Sequence, residues 1–505
     1  MAAKTNNHHE VNIIEQSQVA PPQGSLPSKT LSFTFFDIPW FLCHPVKRIF
    51  FYHFPYSTNH FLQSSLPPLK HSLSLTLQHF FPFASKLIVP PQPQQPFIAY
   101  HQGSDSINLT VAESKADFNV LVSDLPQDAR DWHPLIPSLP PEVTLENGTR
   151  VIPLMAIQLT IIPNSGFSIS LTFNHLVADG KSLHHFIKFW AKLCNHIVTN
   201  GGNNLGSFVE GSNGNLPLPS HDRGKVKDPK GHMQVYLEDL RNSDFQSMKF
   251  RGLVNDASTD KARGTLVVTR DQVDKLKKWV SLKFSDTYGN PDESLLLQHI
   301  STFVVTTSLV WVSMIESEEQ FNYNKNVNNN KEDHYEEICH LVFLADCRGY
   351  VEFCVPPNYF GNCLDTAFVA LKRGDILGEN NGFVKVASAI ESKIREMKRE
   401  ALRDGENIMR RYKKLAMAGE SLIVVAGSPK LGVYETDFGW GKPRKSEAAH
   451  LESSGSISLS DSKIKEGAIE VGFSLEWSRM NLFINIFEQH IKSVHHSLSM
   501  MTNLN

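Results

Sequence analysis

The clearest pattern of apolar and polar positions in this 505-residue chain lies between residues 166 and 190. Apolar and polar side chains alternate from Phe167 to Phe173, which is the period of a β-strand. After a short turn, apolar residues recur three and four positions apart, as on one face of a helix: Leu183, Phe186, Ile187 and Trp190. The pattern predicts a strand that enters a turn and then a helix.

Similar patterns predict strands and helices in alternation along the rest of the chain. The predicted strands are 46–54, 97–102, 107–114, 154–163, 264–269, 338–350, 421–426, 455–460 and 467–474. The predicted helices are 66–87, 270–283, 295–315, 383–417 and 479–498. Two segments show neither the strand period nor the helix period of apolar residues. We expect residues 1–30 to be frayed at the start and residues 320–333 to form a polar loop.

Residues 199–232 interrupt this rhythm and are interpreted as a linker. Glycine, asparagine and proline dominate there, and hydrophobic periodicity vanishes. A chain of 505 residues is too long for one hydrophobic core. We therefore expect an α/β fold with two domains of similar size, 1–198 and 233–505, on either side of the linker.

Composition and charge exclude several classes of protein. The net charge is −3 and 20% of residues are charged, which gives no indication of a nucleic-acid or membrane partner. No segment approaches the ~20 apolar residues that span a bilayer, and the first residues do not resemble a secretory signal. The six cysteines include no C-x-x-C pair, so neither a zinc nor a dithiol redox site is expected. We expect a cytosolic protein with free thiols.

His175 stands in the turn that follows the alternating strand. A histidine in this place is either satisfied by hydrogen bonds within a core or available as a general base at a cleft. Asp179, four residues later, can cap the following helix or pair with a distant arginine. Either arrangement of Asp179 would orient His175 without contacting substrate.

Three other kinds of site are disfavoured around this turn. The string DGKS at 179–182 resembles the end of a phosphate loop, but His175 occupies the position where such a loop needs a glycine. The chain contains no G-x-S-x-G string, which excludes the usual serine hydrolase elbow. A metal bound by His175 and Asp179 would need further ligands, and His184 and His185 bring no cysteine or glutamate at metal spacing. We expect no metal.

Two later strings indicate unusual loops. In DFGWG, residues 437–441, glycines flank Trp440, which is typical of a tight loop where the backbone closely approaches another group. That loop is either packed structurally or in contact with a ligand. The string PPNYFGNC, residues 356–363, is interpreted as a proline-led loop that feeds a strand.

These strings together resemble the plant BAHD acyltransferases, which use acyl-coenzyme A thioesters. Their HxxxD and DFGWG signatures are matched by His175-Leu-Val-Ala-Asp179 and by Asp437-Phe438-Gly439-Trp440-Gly441. The strings TFFDIPW, LADCR and GAIEVGFSL also resemble family segments, and the likeness covers most of the chain. YFGNC, with Tyr359, Gly361, Asn362 and Cys363, resembles the branch that acylates anthocyanins and other flavonoid or phenolic glucosides.

The resemblance implies two domains, each a mixed sheet flanked by helices, with a solvent channel between them. His175 would lie midway along the channel and take a proton from a sugar hydroxyl as it attacks the thioester. No acyl-enzyme and no permanently bound cofactor are implied. Asp179 would pair with Arg348, DFGWG would be a largely structural loop in the second domain, and Trp440 is a candidate donor to the oxyanion.

The acyl donor is less defined by these motifs. A malonyl donor, favoured by the YFGNC resemblance, carries a carboxylate that needs a cation, and Lys181, Arg348 and Arg444 are candidates. A hydroxycinnamoyl donor such as coumaroyl would need a wide apolar slot instead. The remaining alternative is a catalytically silent member that binds coenzyme A esters. The expected partners are an acyl-coenzyme A and a glycosylated flavonoid or phenolic acceptor, bound by a monomer.

Overall fold

The computed structural model describes residues 10–41, 43–202, 217–242, 260–288, 300–324, 331–378, 381–418, 421–450, 456–464 and 466–502. Within these ranges, the strands in chain order are β1 (Val11–Val19), β2 (Lys29–Leu31), β3 (Val46–His53), β4 (Lys86–Val89), β5 (Phe97–Tyr100), β6 (Ile107–Ser114), β7 (Gln127–Asp128), β8 (Val143–Thr144), β9 (Arg150–Pro153), β10 (Met155–Ile162), β11 (Gly166–Phe173), β12 (Lys261–Val268), β13 (Ile338–Asp346), β14 (Leu364–Lys372), β15 (Leu422–Ala426), β16 (Lys445–Ala448), β17 (Ser456–Asp461) and β18 (Ile469–Glu476).

The helices alternate with these strands. The longer α-helices are Leu66–His79, Gly180–Asn200, His232–Arg241, Arg270–Tyr288, Thr302–Asn324, Gly382–Arg399, Ile408–Ala418 and Trp477–Thr502. The shorter ones are Thr58–His60, Phe118–Leu121, Lys331–Glu336 and Arg373–Ile376. Two single 3₁₀ turns, Ile38–Trp40 and His175–Val177, matter for the site described below.

A six-stranded mixed sheet carries the predicted strand, turn and helix. Its order is β1-β6-β10-β11-β3-β16, with β6 and β10 parallel and the other pairs antiparallel. β10 and β11 form the predicted hairpin, and Asn164 in its turn has a φ of 60°, a conformation that asparagine tolerates. Both faces of β11 are buried, so its polar face, including Ser168 and Ser170, lies inside the molecule rather than in solvent.

Two further sheets complete the fold. A seven-stranded mixed sheet has the order β14-β13-β15-β17-β18-β12-β7, and a smaller five-stranded sheet has the order β2-β5-β4-β9-β8. The helices Arg270–Tyr288, Thr302–Asn324 and Trp477–Thr502 pack with the seven-stranded sheet around the fully buried Trp311. The predicted α/β fold with mixed sheets flanked by helices is confirmed.

The two halves of the chain exchange strands. β16, from the second half, extends the six-stranded sheet beside β3, and β7, from the first half, extends the seven-stranded sheet beside β12. The core around the six-stranded sheet also contains second-half residues such as Phe360 and Phe438. The sheets therefore do not divide at the predicted linker, of which residues 203–216 lie outside the described ranges and the last residue begins the helix His232–Arg241.

Several predicted element boundaries are wrong, each for a physical reason. The helix predicted for 66–87 ends at His79, because a 3₁₀ turn containing Pro82 follows and β4 then begins. The helix predicted for 383–417 is two helices, separated where Leu402 adopts a φ of 51°. β1 lies in the start expected to be frayed, because its backbone pairs with β6.

Two predictions fall partly outside the described ranges. The helix predicted for 295–315 is Thr302–Asn324, and residues 295–299 are not described. The same helix continues into the polar loop predicted for 320–333, and Lys331–Glu336 is helical as well. In the described part of the chain, no helix combines the length and the apolar character needed to cross a membrane.

Candidate active site

The turn that carries His175 is fixed at the end of a central strand. β11 ends at Phe173, which pairs with Met155 on one side and Val46 on the other. Asn174 then caps the 3₁₀ turn, because its Oδ1 accepts a hydrogen bond from the Leu176 backbone N–H at 3.0 Å. His175 is thus presented by a rigid sheet rather than by a free loop.

The His175 imidazole is stacked on the indole of Trp40. The ring centroids are 4.1 Å apart and the ring planes differ by 11°. Trp40 is 6% exposed, whereas His175 is only partly buried. The His175 Nδ1 atom is enclosed and has no hydrogen-bond partner, so it does not contribute to the exposed surface of this residue.

The local surroundings keep the His175 imidazole neutral. Burial lowers its pKa from the ordinary value, and this effect outweighs its own backbone carbonyl, the Asp179 carboxylate and the Asn362 side chain, which act in the opposite direction. A neutral imidazole has a lone pair with which to accept a proton. The ring therefore has the protonation state that a general base requires.

Asp179 combines both of the structural roles expected for it. Its Oδ1 accepts a hydrogen bond from the Ser182 backbone N–H at 2.9 Å, which caps the helix Gly180–Asn200. Arg348 Nη2 lies 3.0 and 2.8 Å from its two carboxylate oxygens. Asp179 is fully buried, so the carboxylate acts on His175 through the fold and not through substrate.

Arg348 is occupied by the protein, which corrects its prediction as a substrate-binding residue. Its side chain is 2% exposed, and Nη1 donates to Asp346 at 2.7 Å in addition to the pairing with Asp179. Nε and Nη2 also donate to backbone carbonyls in the YFGNC loop, those of Tyr359 and Gly361. All three guanidinium nitrogens thus donate within the protein, and the buried side chain offers little access to a ligand carboxylate.

Lys181 and Arg444 are more open to solvent than Arg348. Lys181 Nζ lies 2.8 Å from Asp346 Oδ2, in an ion pair whose side chains are 48% and 40% exposed. Arg444 is exposed, and its backbone N–H donates to the Phe51 carbonyl in the middle of β3. Both remain candidates for contact with substrate, with Lys181 in the first turn of the helix that follows the His175 turn.

The YFGNC loop, Tyr359–Cys363, joins the two halves at the His175 turn. Asn362 Nδ2 donates to the carbonyls of His175 and Leu176, both at 3.0 Å, and to Asp37 Oδ1 at 3.1 Å. The Cys363 backbone N–H donates to Asp179 Oδ2 at 3.1 Å. The loop therefore clamps the turn that bears the predicted base.

Gly361 is required by the packing of this loop. Its φ is 152°, and a Cβ atom at this position would lie 2.3 Å from Arg223 Nη1. Arg223 itself is buried, where Nη1 pairs with Asp37 at 3.1 Å and also contacts the Tyr359 hydroxyl. Any side chain at 361 would displace this buried arginine.

The DFGWG loop has a structural role at the opposite end of the helix. Asp437 Oδ1 accepts from the backbone N–H groups of Gly439 and Gly441 at 2.8 and 2.9 Å, which closes the loop. Phe438 is fully buried against Trp190, with ring centroids 4.9 Å apart. The loop packs on helix Gly180–Asn200, although its residues come from the second half of the chain.

Trp440 lies far from His175, which corrects its prediction as the oxyanion donor. Its indole packs edge-to-face against Phe167 at 5.8 Å, near the start of β11. His175 follows the other end of that strand, and six residues of strand at roughly 3.3 Å each separate the two positions by about 20 Å. Trp440 cannot reach a thioester that is in contact with His175.

Sequence reasoning missed the roles of Trp40, Asp37 and Arg223. Trp40 and Asp37 both belong to the TFFDIPW string, whose pattern of aromatic residues gives no indication of which side chain faces His175. Arg223 lies within the predicted linker, and its pairing with Asp37 is a contact between residues 186 positions apart. Among the described residues, no group of three or more His, Cys, Asp or Glu side chains is arranged to hold a metal.

A family model described as the Transferase family matches residues 9–490, nearly the whole chain that carries this site. The chain belongs to the BAHD acyltransferase family. The predicted family and enzyme class are therefore confirmed, with HxxxD at the His175 turn and DFGWG at the far end of its helix.

Two curated relatives show the range of similar proteins. The chain is 37% identical over 490 residues to coumaroyl-CoA:anthocyanidin 3-O-glucoside-6''-O-coumaroyltransferase 1 of Arabidopsis thaliana, covering 95% of this chain and 97% of that protein. It is 33% identical over 492 residues to malonyl-coenzyme A:anthocyanin 3-O-glucoside-6''-O-malonyltransferase of Dahlia pinnata, covering 97% and 99%. Similar relatives thus differ in the acyl donor that they are named for.

A solved structure with the same fold is that of vinorine synthase. It aligns with a TM-score of 0.64 over 94% of this chain and 96% of that chain, at 16% sequence identity. At such low identity, the likeness supports the fold alone. The two-domain acyltransferase architecture expected from the sequence is confirmed.

Proposed function

We propose that this BAHD acyltransferase transfers an acyl group from coenzyme A to a sugar hydroxyl of a glycosylated flavonoid, anthocyanin or phenolic, with His175 as the general base. The observation that carries the proposal is the imidazole itself. Its residue is partly exposed and its surroundings keep the ring neutral, while Trp40 of the first half stacks on the ring and Asn362 of the second half donates to the backbone carbonyl of His175. The names of the relatives support the substrate classes.

In this proposal the reaction proceeds in one ternary complex. His175 removes the proton from the sugar hydroxyl as its oxygen attacks the thioester carbonyl, and the imidazolium then protonates the departing thiolate. Base assistance of this kind contributes typically ~10² to 10⁴ in rate. A channel at the seam between the two halves would let coenzyme A and acceptor reach His175 from opposite sides, and their shared orientation supplies much of the remaining acceleration.

The donor is proposed as one of two classes. A malonyl group is favoured by the YFGNC string and by relatives named as malonyltransferases. A coumaroyl group is favoured by the two Arabidopsis relatives at 37% and 36% identity, and the burial of Arg348 against Asp179 makes that arginine a poor partner for a malonyl carboxylate. Of the three predicted cations, Lys181 and Arg444 remain for that carboxylate.

An assay of purified protein separates these possibilities. Malonyl-coenzyme A and coumaroyl-coenzyme A are each incubated with a panel of anthocyanidin, flavonol and simple phenolic glucosides, and the products are identified by mass spectrometry. Ester formation on the sugar supports the proposal and identifies the donor. If both thioesters bind but no acylated glucoside forms with any acceptor, the chain is a catalytically silent member and the proposal is wrong.

A cytosolic, monomeric enzyme without a permanently bound cofactor is also proposed. The modest net charge of −3 and the location of the site within one chain support it. Size-exclusion chromatography with light scattering should give the mass of one chain, 56.8 kDa. A fluorescent fusion that concentrates at membranes or in an organelle would contradict the proposed localisation.

A further inference from the structure

Asn362 has one hydrogen-bonding atom that the surrounding protein does not use. Its Nδ2 is satisfied by three acceptors, Asp37 Oδ1 and the carbonyls of His175 and Leu176. Three acceptors around one amide atom fix the orientation of the carboxamide, because the flipped amide would place oxygen against oxygen. The Oδ1 atom is therefore assigned without ambiguity, and it is buried without a hydrogen-bond partner.

The His175 ring has the complementary unused atom. Its Nδ1 is also buried without a hydrogen-bond partner. Since Asn362 Nδ2 is 3.0 Å from the carbonyl of His175 itself, the amide and the ring belong to the same small cluster. A buried ring nitrogen and a buried amide oxygen that both lack partners are costly, and buried polar atoms in native proteins are mostly hydrogen-bonded.

We propose that Asn362 is a positioning residue whose Oδ1 accepts a hydrogen bond from His175 Nδ1–H. This inference deepens the proposed function and rests on it. The bond fixes the tautomer in which Nδ1 carries the proton, so that the Nε2 lone pair is free to take the proton of the acceptor hydroxyl. Catalytic hydrogen bonds are often long in free enzymes and shorten when substrate is bound.

The electrostatic surroundings agree with this arrangement. Burial lowers the pKa of His175, whereas its own backbone carbonyl, the Asp179 carboxylate and, with a smaller effect, the Asn362 side chain raise it, as an acceptor facing a ring N–H would. An acceptor at Nδ1 stabilises the imidazolium that forms during proton transfer. Removal of Oδ1 should therefore lower the pKa of His175 further and leave both tautomers populated.

The tautomer can be measured directly in the unmodified protein. Protein labelled with ¹⁵N at histidine is compared with the His175→Ala variant, so that the missing ring signals identify His175. We expect the ¹⁵N chemical shifts above the pKa to show a protonated Nδ1 and an unprotonated Nε2. A protonated Nε2 in the neutral ring would overturn the inference without any change at Asn362.

The variant Asn362→Leu keeps the side-chain volume and removes both Oδ1 and the Nδ2 that donates to Asp37 and to the carbonyls of His175 and Leu176, so some loss of stability is also expected. We expect kcat to fall about 10- to 100-fold, as is usual for groups that orient a functional histidine. The acid limb of the kcat/KM profile should move to lower pH, and the two His175 tautomers should become mixed. A purely structural role would lower stability or kcat without either of the last two changes.

Cys363→Ala is the matched control in the same buried loop. It removes a fully buried side chain from the residue next to Asn362 and keeps the backbone N–H that donates to Asp179. We expect a loss of stability with the acid limb and the tautomer unchanged. If Asn362→Leu folds and keeps the parental tautomer and acid limb, the inference fails.

The proposed function fails on a different result. Near-normal turnover by His175→Ala would show that His175 is not the base, whatever its tautomer. A dead His175→Ala variant together with an unchanged tautomer in Asn362→Leu would leave the proposed function intact and remove only the role of Asn362.

Discussion

At the residue scale, the decisive contact is between Trp40 and His175. A large aromatic ring stacked at 4.1 Å covers one face of the imidazole and keeps water from it. Solvation by water stabilises the charged imidazolium more than the neutral imidazole. The stacked Trp40 indole excludes water from one face and so contributes to the lowered pKa of His175. Trp40 thus influences the base without hydrogen bonding to it.

The variant Trp40→Leu should uncover that face. Water then stabilises the imidazolium, the pKa of His175 rises toward its ordinary value, and the acid limb of the kcat/KM profile moves to higher pH. A shift of one pH unit corresponds to about 1.4 kcal/mol of differential solvation. The measurement is the initial rate as a function of pH at low substrate concentration.

Trp40→Phe is the control, because phenylalanine retains an aromatic face. We expect its acid limb to stay close to that of the parent enzyme. An acid limb in Trp40→Leu that stays in place or moves to lower pH would show that the tryptophan does not set the solvation of His175.

At the element scale, one end of the helix Gly180–Asn200 organises the site. Its N-cap, Asp179, is also the ionic partner of Arg348, so helix capping and the contact between the two halves depend on the same carboxylate. The other end of the helix is held by the DFGWG loop, through Phe438 and through Val198 beside Gly439. Both family signatures therefore stabilise a single helix.

Replacement of Asp179 by Asn separates capping from charge. Asparagine caps a helix as well as aspartate, so the loss reflects the broken ion pair with Arg348, and we expect about 3 kcal/mol of destabilisation. Asp179→Ala should cost about 1 kcal/mol more, because the cap is lost as well. Guanidinium unfolding of the three proteins measures these differences.

Asp117→Asn is the matched control for this series. Asp117 is an exposed N-cap of Phe118–Leu121, where it accepts from the Asn119 backbone N–H at 2.8 Å. We expect its stability to change by less than about 0.5 kcal/mol. A change equally small in Asp179→Asn would mean that the buried pair with Arg348 contributes nothing measurable.

Elements whose signal is local could be predicted from the sequence. The alternation in β11, the apolar stripe from Leu183 to Trp190 and the cap at Asp179 each lie within about a dozen residues, and all are confirmed. The sequence does not predict the helix break at Leu402, because both halves share one charge pattern and the Leu402 backbone N–H bonds to Asp365 Oδ2, a residue distant in sequence. The stacking of Trp40 on His175 joins residues distant in sequence, and periodicity carries no information about it.

At the scale of the whole molecule, the exchange of strands makes each half depend on the other. β16 completes the six-stranded sheet, and β7 extends the seven-stranded one. Lys445, in β16, is buried and donates to Asp124 of the first half at 3.0 Å. Two domains were predicted from chain length and from the linker, but neither signal shows that strands cross between them.

The two halves should consequently unfold together. We expect pulsed hydrogen exchange during guanidinium unfolding to give one midpoint for amides of β11 and of β17, which lie in different sheets. Unfolding of one sheet removes a strand and an interface from the other, so neither half retains a complete core. Midpoints clearly separated between the two strands would show independent domains.

The central claim is that the His175 imidazole takes the proton from the acceptor alcohol, and the most direct measurement is turnover by His175→Ala beside its thermal unfolding temperature. Removal of a general base should lower kcat by about 10² to 10⁴, while coenzyme A ester binding and the folded structure persist. Turnover within a few-fold of the parent enzyme, in a variant that folds normally, would contradict the account.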